Sequence, residues 1–166
     1  MKKFFFLLSL SFLFLINVQA QTTEVWVVRH AEKDKSNPQE KNPDLSDEGK
    51  TRAGDLAKFL KKVTFDAAYT TPYKRTRQTL DSLVIPKVIE YNDIKALVDG
   101  VKTNYAGKKI IIAGHSNTVL EIIEAFGGKR PRAELTDDDY DFIFRLNVKG
   151  DKAKVKMDQY GVPHHL

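Results

Sequence analysis

From Gln21 onward, short apolar runs rich in β-branched residues alternate with stretches of helical period, and this alternation does most to restrict the chain to an α/β fold. Val25-Trp26-Val27-Val28, Ala67-Ala68-Tyr69, Val88-Ile89 and Ile110-Ile111-Ile112-Ala113 show little polar alternation, as strands covered on both faces should. Between the first two, Ser46 is placed to cap a helix whose Ala53, Leu56, Ala57 and Leu60 share one face. A further helix is expected over about residues 75–83, and Ile94, Leu97, Val98 and Val101 mark another. Val119, Leu120, Ile122, Ile123 and Phe126 form the stripe of a last helix, with Gly127-Gly128 as a left-handed stop. Asp34 to Asp44, punctuated by Asn37-Pro38 and Asn42-Pro43, reads as a surface loop.

After Asp141 the pattern changes to alternation. Phe142, Phe144, Leu146 and Val148 interleave with Ile143, Arg145 and Asn147, and Lys149-Gly150-Asp151 turns into Ala153 to Met157, the signature of an antiparallel hairpin. The expected architecture is a three-layer α/β/α sandwich with a mostly parallel sheet and an antiparallel C-terminal edge hairpin. Trp26, Phe142 and Phe144 belong to its core.

Residues 1–20 stand apart. Lys2 and Lys3 precede an apolar run from Phe4 to Val18, and Val18-Gln19-Ala20 presents small residues where a signal peptidase reads. We expect a signal peptide cleaved after Ala20, a domain over residues 21–166, and a periplasmic or secreted product. The run is short for the roughly 20 residues of a membrane span, and no later segment could cross a bilayer. Removing two lysines takes the net charge from +5 to about +3, with no long basic block, which argues against a nucleic-acid binder. The absence of cysteine excludes disulfides, thiolate metal sites and a thiol nucleophile. Nothing in the sequence specifies an oligomeric state.

In open α/β sheets ligands bind beyond the carboxyl ends of the strands. His30 follows the first strand directly after Arg29, and His115 follows the Ile110 run just before a predicted helix. If these strands are neighbours, two imidazoles and a guanidinium face one crevice. A neutral imidazole is a competent nucleophile toward phosphorus, and arginine matches phosphate oxygens two at a time while staying charged. Placed at a helix N-terminus, His115 would have the N–H groups of Ser116 and Asn117 beside it to favour an anion. The constellation predicts a phosphate site.

Four segments carry a family resemblance. Val28-Arg29-His30-Ala31-Glu32 resembles the Arg-His-Gly-Glu signature of the histidine phosphatase superfamily, the branch that includes phosphoglycerate mutases. Tyr69-Thr70-Thr71-Pro72-Tyr73-Lys74-Arg75-Thr76-Arg77-Gln78-Thr79 is similar to its Ser-Ser-Pro-x-x-Arg-Ala-x-x-Thr segment, Ala113 to Thr118 to its Gly-His segment, and Leu45-Ser46-Asp47-Glu48-Gly49 to its Leu-Thr-x-x-Gly helix start. The resemblance implies that His30 becomes transiently phosphorylated, that Arg29, Arg75 and His115 bind the phosphoryl group, and that no metal or cofactor is needed. It also implies a general acid after the third strand, for which Asp93 is the nearest match, with Glu32 and Glu90 as competitors. Ala31 departs from the family's glycine.

The resemblance and the chain length favour a phosphatase acting on a phosphorylated small molecule or phosphoprotein, through a phosphohistidine on His30. A phosphoglycerate-mutase-like phosphotransferase would need more enclosing structure. A non-catalytic module binding phosphorylated ligands and a metallohydrolase built on His30, Glu32 and His115 are the alternatives from other classes. Asn117 is placed either beside the ligand or at the helix start. Lys33, Lys35, Lys74 and Arg77 read as solvated surface, Asp137-Asp138-Asp139 as a solvated turn, and His164-His165 as a tail.

Overall fold

The computed structural model describes residues 21–163, so residues 1–20 and the pair His164-His165 lie outside it. Its elements run β1 (Thr23–Arg29), α1 (Asp47–Phe59), β2 (Ala67–Thr70), α2 (Lys74–Leu80), β3 (Val88–Glu90), α3 (Ile94–Asn104), β4 (Lys109–Gly114), α4 (Val119–Ala125), β5 (Phe142–Lys149) and β6 (Lys152–Gln159). One 6-stranded sheet has the order β3-β2-β4-β1-β5-β6. The first four strands of that order are parallel; β5 runs antiparallel to β1, and β6 antiparallel to β5. The hairpin expected from its alternating pattern therefore occupies one edge of the sheet.

The strands lack polar alternation because each feeds two cores. Val25 and Val27 of β1 pack with Leu97, Val98 and Val101 of α3 and with Leu120, Ile123 and Phe126 beneath α4. Trp26 and Val28, on the other face, pack with Leu56 and Leu60 from α1 and Leu80 from α2. Helices α1 and α2 thus cover one face and α3 and α4 the other, which is the three-layer sandwich. Gly127, at a φ of 82°, lets the chain leave α4 by returning its N–H to Glu124 and that of Gly128 to Ile123.

This winding creates the crevice. The chain leaves β1 toward α1 on one face and leaves β4 toward α4 on the other, although β1 and β4 are direct neighbours. The carboxyl ends of adjacent strands separate their connections there, the usual ligand position in such sheets. Register carries Arg29 opposite Gly114, and the His30 N–H donates to the Gly114 carbonyl at 2.9 Å.

The turn after β1 is pinned from two sides. Ser46, the N-cap of α1, donates its backbone N–H to the Glu32 carbonyl at 2.9 Å while its hydroxyl accepts from the Gly49 N–H. The loop between β1 and α1 is closed by an antiparallel bridge between Lys33 and Leu45. Gly49 sits so close that a β-carbon there would collide with the Glu32 carbonyl oxygen. Gly49→Ala therefore sets a helix-propensity gain of about 1 kcal/mol against overpacking of about 1–3 kcal/mol on backbone that cannot give way. Urea unfolding should show net destabilisation of up to about 2 kcal/mol; a stabilised variant would contradict this packing.

Candidate active site

His30, Arg29, Arg75 and His115 line one cavity of about 510 Å³ at the carboxyl ends of β1 and β4. The two imidazole centroids lie 5.2 Å apart. The separation of Arg29-His30 from His115 in sequence is closed by the β1–β4 pairing, and Arg75 enters from the first turn of α2.

The bonding of His30 decides what it can do. Its Nδ1 lies 2.7 Å from the Ala31 carbonyl oxygen. A carbonyl can only accept, so Nδ1 carries the proton and Nε2 of the neutral ring is left with its lone pair. Burial, opposed by the bond to Ala31 and reinforced by Arg75, His115 and Arg29, pushes the His30 pKa down from 6.5 to about 3. The ring is therefore neutral and nucleophilic at physiological pH. Ala31 is itself fixed, its N–H donating to the Thr79 hydroxyl at 2.8 Å and its methyl packing with Leu45 and Ala53. Its φ is not positive, so alanine is accommodated where the resemblance leads one to expect glycine.

Arg29 is buried with its guanidinium over the Tyr140 ring at 4.0 Å, and its Nη1 donates to the Thr136 carbonyl at 2.6 Å. Arg75 stacks on Tyr73 at 4.1 Å and reaches His115 Nδ1 with its Nη2 at 3.5 Å. The Nε atoms of both arginines are buried without a hydrogen-bond partner among the described residues. His115 is held near a pKa of about 4 by burial and by Arg75 and Arg29, so the fixed cations nearest the two rings are guanidinium groups.

The remaining expectations divide. Asn117 lines the cavity, as do Lys33 and Lys35. His115, expected at a helix N-terminus, lies instead in a turn before α4 begins at Val119, and its N–H is taken by the Thr118 hydroxyl at 3.0 Å. Asp93 is not brought to the cavity: it caps α3 by accepting from the Ala96 N–H at 2.7 Å and lines a separate groove together with Glu90. Glu32 turns away to pair with Arg52 at 2.6 Å, both side chains buried. Among the described residues no three His, Asp or Glu side chains converge as metal ligands. Lys74 and Arg77 pair with Asp44 and Asp81.

Several lining residues carried no sequence signal. Tyr73, Tyr140 and Asp137 line the cavity, Asp137 being the one carboxylate among its lining residues. The acidic run is not uniformly a solvated turn, because Asp139 is buried and accepts from the Thr136 N–H and hydroxyl at 2.6 and 2.9 Å. That turn carries the two carbonyls, of Thr136 and Asp139, that receive Arg29.

Residues 25–99 match the histidine phosphatase superfamily (branch 1). The fold is similar to that of the protein histidine phosphatase SixA solved with tungstate (TM-score 0.67, 14% identity, covering 82% of this chain and 96% of that one). It is also similar to Bacillus stearothermophilus YhfR (0.65, 17%, 86% and 98%). A third similar structure is phosphoserine phosphatase from Entamoeba histolytica in complex with 3-phosphoglyceric acid (0.63, 16%, 87% and 100%). No curated protein matches the sequence.

A pH titration followed by NMR should find neither His30 nor His115 gaining a proton between pH 8 and 5. Both folded-state pKa values, about 3 and about 4, lie below the ordinary 6.5. The unfolded chain therefore binds more protons in this window, and the two rings erode stability as pH falls from 6.5 toward 4. His30→Gln should lessen that acid sensitivity. A midpoint near 6.5 for either ring would contradict the site's electrostatics.

Proposed function

We propose that the chain is a histidine phosphatase that hydrolyses phosphate monoesters, or a phosphorylated protein, through a phosphohistidine on His30, a reading supported by the family match over residues 25–99. The observation that carries this reading is the Nδ1 contact to the Ala31 carbonyl, which leaves Nε2 of a neutral ring as a nucleophile among cations.

In the first step the Nε2 lone pair forms a bond to phosphorus while the ester P–O bond breaks and its electron pair leaves on the alcohol oxygen. Arg29 and Arg75 neutralise the charge spread over the non-bridging oxygens. In the second step water attacks phosphorus and gives a proton to the Asp137 carboxylate, restoring the acid, while the P–N bond breaks and His30 recovers its lone pair as inorganic phosphate departs. Neither step requires a metal. Asp137, the one carboxylate lining the cavity, takes the role of protonating the leaving oxygen in this reading, since Asp93 caps α3.

Lys33 and Lys35 on the cavity wall suit a substrate with further negative charge. SixA, which the fold resembles, is a protein histidine phosphatase, and a phosphoprotein is the substrate class we favour. A leader removed after Ala20 would deliver the enzyme to the periplasm or beyond, which N-terminal sequencing of the exported protein tests.

The enzyme should release phosphate from p-nitrophenyl phosphate, with His30→Ala losing at least about a thousand-fold in kcat/KM. Lys152→Ala, on β6 away from the cavity, should match the parent, and chelators should change nothing. Binding without turnover would favour a phospho-ligand module, and chelator sensitivity a metalloenzyme. Asp137→Asn should slow a poor alkyl leaving group about tenfold or more while sparing p-nitrophenolate, which needs little protonation. Equal effects on both substrates would remove Asp137 from the chemistry.

A further inference from the structure

The second imidazole is bonded on both of its nitrogens, and the bonds determine where its proton lies. Thr76, fully buried in α2, places its hydroxyl oxygen 2.8 Å from the Tyr73 carbonyl and 3.0 Å from the Thr71 carbonyl. Carbonyls only accept, so the single Thr76 hydroxyl proton is committed to them. The Thr71 hydroxyl oxygen lies 2.9 Å from that of Thr76, a separation that needs a proton between the two oxygens. It must be the proton of Thr71. Thr71 then has only a lone pair to offer His115 Nε2 at 3.0 Å, so Nε2 is the donor.

The other side of the ring agrees independently. His115 Nδ1 faces Arg75 Nη2 at 3.5 Å, and a guanidinium nitrogen can only donate. Neither end of the chain can be reversed without placing two donors or two lone pairs against each other.

We propose that Thr71 and Thr76 are positioning residues for His115, holding it as the Nε2–H tautomer so that Nδ1 meets the phosphoryl group as a proton acceptor. An oxygen of a fully ionised phosphate would meet Nδ1 lone pair to lone pair. Binding therefore brings one proton to Nδ1, either from the P–OH of a monoanion or from solvent with a dianion. The ring becomes imidazolium, giving its Nδ1–H to the phosphoryl oxygen while the Arg75 Nη2–H leaves Nδ1 for the same anion. It still donates through Nε2 to Thr71, and adds a third positive charge once the anion has arrived. The catalytic consequence rests on the phosphatase reading; the tautomer does not.

The test is side-chain ¹H–¹⁵N NMR of the protein with and without inorganic phosphate at pH 7. In the free protein His115 should show a protonated Nε2 and an unprotonated Nδ1, and phosphate should protonate Nδ1. Thr71→Val and Thr76→Ala should each produce a mixture of tautomers, and Thr71→Ser should restore the parent pattern. With p-nitrophenyl phosphate, Thr71→Val should lower kcat/KM about tenfold and Thr71→Ser should recover most of it. A protonated Nδ1 in the free protein, tautomers unaltered in both variants, or an Nδ1 unaffected by bound phosphate would each overturn the proposal. Should the protein lack phosphatase activity while the tautomer behaves as described, only the functional reading fails.

Discussion

The site depends on one short hydrogen bond, from Nδ1 of His30 to the carbonyl of the next residue. That bond orients the ring, assigns its proton and leaves Nε2 free, and it holds only because the Ala31-Glu32 backbone is immobilised. The Ala31 N–H is bound by Thr79 of α2, the Glu32 carbonyl by Ser46 at the start of α1, and the His30 N–H by β4. Three separate elements thus converge on three consecutive residues. Without that support a histidine after a strand would sample rotamers and take up protons near neutrality.

Electrostatics then follow from burial. Two desolvated imidazoles beside two arginines cannot hold protons at neutral pH, and both pKa values fall well below the ordinary range. The guanidinium groups remain charged because nothing at accessible pH deprotonates them, and each is steadied on a tyrosine face. The result is a fixed positive charge of the size that would balance a phosphate dianion. Such a cluster works against folding. The α1–α2 and α3–α4 cores on either side of the sheet offset it.

Much of this was legible from residue order. The apolar runs located β1, β2 and β4, and Arg29-His30, Arg75 and His115 identified themselves through their places after strands and within four resembling segments. Asp93 shows where the reading runs out. An acid preceding a helical stripe has the same appearance whether it donates a proton or caps the helix, and here it caps. Glu32 lies two residues past His30, where a continuing strand would put both on one face. Yet β1 ends at Arg29, and the turn toward α1 carries the carboxylate to Arg52 rather than the crevice. Tyr140 and Asp137 come from a segment without periodicity whose course is set by the buried carboxylate of Asp139. The Thr71–Thr76–His115 chain was invisible because hydroxyl orientation is a property of neighbours in space.

The account stands most directly on which nitrogen accepts the phosphoryl group. Mixing the enzyme with a ³²P-labelled phosphate ester, quenching in alkali within one turnover and resolving the phosphohistidine isomers after digestion locates it. Label on Nε2 of residue 30 is the expected result. Label on Nδ1, on His115, or on no histidine during active turnover would show that the bond to the Ala31 carbonyl does not govern the chemistry.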